Sequence, residues 1–139
     1  MLEGFFNPGS VAVVGASREE GKTGHSIISN IVKYGFPGKI YPVNPKSDEI
    51  MGLKSYPDLL SIEGDVDLAI IVIPPKFILN TIEECAKKGT NSVIIISAGF
   101  KETGGEGRKL EAEVVARAKE HGIRLLGPNC LGLIDTNSK

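Results

Sequence analysis

The sequence predicts a single α/β domain built on a Rossmann-like, doubly wound parallel sheet. Apolar runs of strand length alternate strictly with amphipathic helical patterns, the signature of parallel strands joined by right-handed crossovers. Glycine and proline cluster just after each apolar run, where such a sheet turns toward its helices. The 139 residues are enough for one core and too few for two ordinary domains.

The elements follow in order. "SVAVVGAS", residues 10–17, is a first strand that stops at Gly15. "GHSIISNIVKYG" places Ile27, Ile28, Ile31 and Val32 on one face, so a helix is expected, closed by Gly35 and Pro37-Gly38. "KIYPVNP" is a second strand whose Pro42 calls for a bend or an edge position. Residues 46–66 are expected to be a loop with one short helical piece around Tyr56 to Ile62. "DLAIIVIPP", apolar throughout, is a third strand with both faces covered. Phe77, Ile78, Thr81, Ile82, Cys85 and Ala86 recur at helical spacing, and Gly89 closes that helix. "NSVIIISAG" is a fourth strand. The stretch from Gly104 to Gly122 is a helix with Leu110, Val114, Val115 and Ala118 inward, and "IRLLGPNCLG" is a fifth strand and turn.

Composition narrows the function. A formal net charge of -1 supplies no field to recruit nucleic acid or an acidic membrane, so neither partner is expected. No apolar run reaches the ~20 residues of a membrane span. "MLEGFFNPGS" has neither a basic start nor a long apolar stretch, so no secretory leader is expected. Two cysteines, Cys85 and Cys130, cannot build a disulfide framework and fit a reducing cytoplasm. No His/Cys cluster has zinc spacing, and no metal site is expected.

In a doubly wound sheet, ligands bind outside the carboxyl ends of the strands. The candidate site is therefore the row of turns Gly15-Ala16-Ser17, Val43-Asn44-Pro45-Lys46, Ile73-Pro74-Pro75, Ser97-Ala98-Gly99-Phe100 and Gly127-Pro128-Asn129-Cys130. The first turn resembles a phosphate loop but matches neither standard form. A dinucleotide fingerprint starting at Gly15 needs glycine where Ser17 and Glu20 stand. A Walker loop ending in Gly21-Lys22-Thr23 needs glycine where Ala16 stands. The backbone near Gly24, at the helix start, is the expected phosphate contact. Arg18 and Lys22 either neutralise that phosphate or belong to a solvated loop.

After the second strand an NAD site places a carboxylate for the ribose hydroxyls. Here the chain has Asn44 and Lys46, with no acid before Asp48. A lysine there suits an extra phosphate on an adenosine ribose, as in NADP or coenzyme A; a solvated loop lysine is the plain alternative. His25 is expected to make a helix-start contact, and His121 to face solvent. Cys130 has no histidine or acid beside it in sequence and is expected to be a small packed residue. Glu19, Glu20, Glu102 and Glu106 lie in loops or near a helix start with no visible pairing. No catalytic residue is expected.

The segments "FFNPGSVAVVGAS", "GKTGHSIISNIVKYGFPGKIYPVNPK", "DLAIIVIPP", "SVIIISAGFKETG" and "GIRLLGPNCLG" together cover nearly all of residues 5–132. In this combination the chain resembles the N-terminal coenzyme A-binding domain of the nucleoside-diphosphate-forming acyl-CoA synthetases, relatives of the α subunit of succinyl-CoA synthetase. The resemblance implies coenzyme A or an acyl-CoA lying across the strand ends. Gly15, Ala16, Ser17 and the Lys22-Thr23-Gly24 turn would hold the phosphates. Asn44, Pro45 and Lys46 would contact the adenosine phosphate, and Ile73, Pro74 and Pro75 would line the adenine or pantetheine path. Ser97, Ala98, Gly99 and Phe100 would flank the pantetheine arm, and the turn carrying Asn129 would approach the thioester. The resemblance further implies an ADP-forming ligase, such as an acetate–CoA synthetase, acting through acyl phosphate and a phosphohistidine. Nothing in this chain matches that histidine's motif, and a nucleotide-grasp domain is lacking. Residues 1–139 are thus expected to be a binding domain of a longer synthetase, partnered by its remaining domains or a β subunit. A stand-alone coenzyme A-binding module and an NADP-linked oxidoreductase domain are the alternatives.

Overall fold

The computed structural model describes residues 2–136. A short helix α1 (Glu3–Phe6) precedes β1 (Ser10–Val14), α2 (Thr23–Lys33) and β2 (Lys39–Val43). A two-residue hairpin, β3 (Glu49–Ile50) and β4 (Leu53–Lys54), leads to β5 (Leu68–Ile71) and α3 (Ile78–Lys88). The chain continues through β6 (Ser92–Ile95), α4 (Gly105–Glu120) and β7 (Arg124–Leu126). Five strands form one parallel sheet in the order β2-β1-β5-β6-β7. The winding direction reverses between β1 and β5, and that reversal is the switch point of the sheet.

Successive strand residues face opposite sides, and both sides are covered, as the unbroken apolar runs require. Ala12, Val14, Ala69, Ile71, Val93 and Ile95 meet Ile78, Ile82 and Cys85 of α3 and Val114 and Ala118 of α4. On the other face Val11, Val13, Leu68 and Ile94 meet Phe5 of α1, Ile28 of α2 and Ile50 of the hairpin. Ile28 and Ile82 are fully buried, so truncating either to alanine costs about 2–5 kcal/mol.

Pro42 lies on the edge strand, as the sequence requires. Its carbonyl accepts the Tyr56 amide on the side away from β1. A residue's N–H and C=O point the same way along a strand, so the missing N–H removes no bond to β1.

The stretch from 46 to 66 departs from expectation. In place of a loop with a helical piece near Tyr56–Ile62, it holds the β3–β4 hairpin followed by bends. Met51 and Gly52, at φ 51° and 76°, make a two-residue turn with both central residues left-handed. Asp58 ties down the next turn through the Ser61 amide and hydroxyl, and Leu59 donates its amide to Glu84 on α3. Only one i to i−3 bond, Ile62 to Leu59, remains of the expected helix. Among the described residues no helix is long and apolar enough to cross a membrane.

Candidate functional site

The carboxyl ends of the strands form a continuous rim whose turns are bonded to one another. Gly15 donates its amide to Val43, and Val72 donates to Val14. Asn44 spans two turns at once. Its side-chain amide donates to the Ala16 carbonyl at 2.8 Å, while its side-chain oxygen accepts the Lys46 amide at 2.8 Å. Ser97 Oγ accepts the Ile73 amide at 3.0 Å and donates to the Ile73 carbonyl at 2.6 Å. Asn129, at φ 53°, donates its amide to the Ser97 carbonyl at 3.0 Å. The five predicted turns therefore make one surface.

At the switch point the backbone is packed too closely for side chains. A Cβ on Gly15 (φ +95°) would meet the Val72 carbonyl oxygen at 2.3 Å, and one on Gly24 would meet the Gly15 carbonyl oxygen at 1.9 Å. Gly15 allows the tight turn, and Gly24 lets α2 press against it. The dinucleotide fingerprint assigns the same two tasks to its glycines at shorter spacing.

The N-terminus of α2 points its first amides at this rim, and no side chain caps it. His25 and Ser26 donate back to the Lys22 carbonyl, whereas the amides of Thr23 and Gly24 have no acceptor among the described residues. His25 Nδ1 lies 3.1 Å from the Ser17 carbonyl, a loop-to-helix tie consistent with the expected helix-start contact. Ser17 Oγ accepts the Glu19 amide, and Lys22 pairs with Glu19 at 3.7 Å on the exposed surface. Lys46 is exposed and makes no ion pair among the described residues.

One predicted rim residue, Phe100, and one loop acid just beyond the rim turn, Glu102, sit differently from their sequence reading. The Phe100 side chain is fully buried among core residues, so its ring cannot flank a surface ligand; only its backbone faces the rim. Glu102, which looked unpaired in sequence, accepts the Gly99 and Phe100 amides at 2.5 Å and 3.1 Å. These two amides hold its carboxyl below the usual carboxylate range. The signal available in sequence was an acid two residues beyond a glycine-containing turn, a spacing that lets a side chain fold back on the backbone.

Elsewhere, His121 is exposed and reaches Glu83 at 3.2 Å. Cys85 is buried, and desolvation, with Glu84 adding to it, pushes its thiol up to about 12. Cys130 is half-buried, its Sγ 3.4 Å from the Ile95 carbonyl oxygen. Two further cavities are present. One of about 400 Å³ is lined by Asn7, Asp67 and Ser92 at the opposite strand ends; one of about 460 Å³ lies between α4 and β7, lined by Val115, Lys119 and Leu125 and reaching the rim turn at Gly127. Among the described residues no group of three or more His, Cys, Asp or Glu is placed to hold a metal ion.

Comparison with known proteins gives a consistent answer. A family model described as a CoA binding domain matches residues 9–136. The chain is 47% identical over 99% of its length to the α subunit of acetate–CoA ligase [ADP-forming] II from Pyrococcus furiosus, covering 30% of that protein. It is 48% identical over 94% of its length to acetate–CoA ligase [ADP-forming] from Methanocaldococcus jannaschii, covering 18% of it. The chain thus spans less than a third of the length of these curated relatives. Among solved structures, acetyl-coenzyme A synthetase 1 of Ca. Korarchaeum cryptofilum, in complex with phosphate and ADP, superimposes with a TM-score of 0.91 at 46% identity. That match covers 95% of this chain and 28% of the other. A hypothetical protein from Pyrococcus horikoshii OT3 shares the fold with a TM-score of 0.72 at 26% identity; 87% of this chain matches 77% of that one.

Proposed function

The chain belongs to the CoA-binding domain family, and from that premise we propose that it is the coenzyme A-binding module of an ADP-forming acyl-CoA synthetase acting in the cytoplasm. The observation that carries the reading is the uncapped N-terminus of α2, brought onto the switch point by the contact of Gly24 with Gly15. Backbone amides at a helix N-terminus suit a pyrophosphate, and the absence of side chains at both glycines leaves room for one to approach.

On this reading coenzyme A lies along the rim. Thr23, Gly24 and the Gly15-Ala16-Ser17 turn would hold the pyrophosphate. Lys46, exposed and positioned by the Asn44 bond to its own amide, would meet the ribose phosphate. The pantetheine arm would then run past Ile73, Pro74 and Pro75 toward Ser97, Ala98 and Gly99, with Asn129 near its thiol end. Coenzyme A would supply the thiol that becomes the thioester. This chain's residues bind and orient it, and the phosphohistidine step belongs to other domains or to a β subunit.

Amide NMR tests the placement. Coenzyme A titrated into the labelled chain should shift Gly15, Thr23, Gly24, Lys46 and Gly99. Shifts confined to Lys119, Arg124 and Leu125 would move the ligand to the cavity beside β7. A second reading, a stand-alone coenzyme A-binding module, draws on the short Pyrococcus horikoshii protein that this fold nearly fills. Coding sequence beyond Lys139 that runs into a further α/β domain favours the synthetase; a stop codon favours the module.

A further inference from the structure

The turn after β6 has a device that the predicted ligand contacts do not include. Gly99, at φ +102°, and Phe100 turn their amides toward one point, and Glu102 Oε1 fills it. Phe100 cannot shift, because its ring is fully buried and its carbonyl accepts both the amide and the hydroxyl of Thr103. Gly99 is the partner with backbone freedom to turn away once the acceptor is removed, since a glycine has many conformations open to it. Its Cα lies against the Pro74-Pro75 turn: a Cβ there would come within 2.6 Å of the Pro75 ring. Next to it, Ser97 is bonded to both the amide and the carbonyl of Ile73. The conformation of Gly99 therefore decides what the rim presents between β5 and β6. Two amides aimed at one point repel each other unless an acceptor sits between them.

We propose that Glu102 is a positioning residue for coenzyme A: its carboxylate fixes Gly99 and Phe100 so that the Ser97–Gly99 edge and Pro75 form the wall along which the pantetheine arm lies. This rests on the binding reading given above. Glu102 itself touches no ligand; it acts through the backbone of Gly99. An exposed carboxylate that spends its hydrogen-bonding capacity on a neighbouring loop contributes to the shape of the site rather than to its charge.

The test compares coenzyme A with adenosine 3′,5′-bisphosphate, which keeps the ribose phosphate and lacks the pantetheine arm. Both are titrated calorimetrically into wild type, Glu102→Ala and Glu102→Gln. In Glu102→Ala, coenzyme A should weaken about tenfold, the loss expected for a charged hydrogen-bond pair, while the bisphosphate stays within about twofold. Glu102→Gln keeps an acceptor oxygen and should recover most of the coenzyme A affinity. Unchanged coenzyme A affinity in Glu102→Ala overturns the proposal, and so does an equal loss for both ligands, which would mark a general structural effect. Should Glu102→Ala fail to fold, Glu102→Asp, one methylene too short to reach both amides, is judged by the same two ligands. A wild-type chain that binds neither ligand overturns the binding reading and this proposal with it. A wild-type chain that binds both, with no selective loss in the variant, overturns this proposal alone.

Discussion

The side-chain amide of Asn44 donates to the carbonyl of Ala16 across 2.8 Å, tying the turn after β2 to the turn after β1. The other end of the same side chain accepts the Lys46 amide. One asparagine thus sets the distance between the proposed pyrophosphate loop and the proposed ribose-phosphate lysine. An aspartate would keep the bond from Lys46 and set a carboxylate against the Ala16 carbonyl. Asn44→Asp should therefore lose about 1–3 kcal/mol of stability, the cost of an unpaired, part-buried acceptor, and bind coenzyme A more weakly. Urea unfolding and calorimetry check the two halves; a variant as stable as wild type would mean the Ala16 carbonyl is satisfied by water.

Glycine requirements differ sharply within a few residues. Gly24→Ala would push a methyl to 1.9 Å from the Gly15 carbonyl oxygen, backbone that cannot swing aside. It should destabilise by about 3 kcal/mol, the upper end for overpacking, although alanine gains about 1 kcal/mol in helix propensity. Gly21, at φ +87°, has nothing within 4 Å of an added Cβ. Gly21→Ala should cost only the left-handed backbone penalty of about 1–2 kcal/mol. Equal melting midpoints for the two variants would contradict the close approach of α2 to the switch point.

Lys46→Ala should weaken coenzyme A far more than dephospho-coenzyme A. A charged hydrogen bond suggests a loss of about 1.5–3 kcal/mol, and the exposure of Lys46 favours the lower end. Folding should hardly change, because a loop lysine contributes little to the core. Titrating both ligands into both proteins yields one coupling energy. A coupling near zero would leave the phosphate to Arg18, Lys22 or backbone amides.

Acid should act on the seam between α3 and α4. Glu83 accepts from Arg117 at 2.5 Å and lies 3.2 Å from His121 Nε2. The Arg117 guanidinium holds the Glu83 carboxyl below its ordinary value of 4.5. A depressed folded pKa contributes stability that is fully present above 4.5 and is lost as pH falls through the folded value. Exposure keeps the contribution small. Urea midpoints measured from neutral pH downward should fall less steeply in Arg117→Ala than in wild type below about pH 4.5. Identical slopes would remove Glu83 from the acid response.

The sheet was legible because its strands are covered on both faces and read as unbroken apolar runs, and because Gly89 and Gly122 close α3 and α4 with left-handed turns. The hairpin was not legible. Its turn places Met51 at φ 51°, where asparagine or glycine is the usual signal. The helical spacing of Leu59 and Ile62 is real, since both are buried, yet Glu84 takes the Leu59 amide and a single turn bond is all that forms. At the rim, the strand ends located the turns, but spacing could not separate backbone from side chain. Phe100 lies in the turn after β6 but points its ring into the core, while Glu102 needed the folded turn to acquire its partners.

The central claim is that the rim selects coenzyme A over the dinucleotides that similar sheets bind. Calorimetric titration of the purified chain with coenzyme A, NADP and NAD tests it most directly. Lys46 without a preceding acid, and a glycine loop spaced unlike the dinucleotide fingerprint, predict single-site binding of coenzyme A that is tighter than either dinucleotide. Equal or tighter binding of NADP would contradict the account.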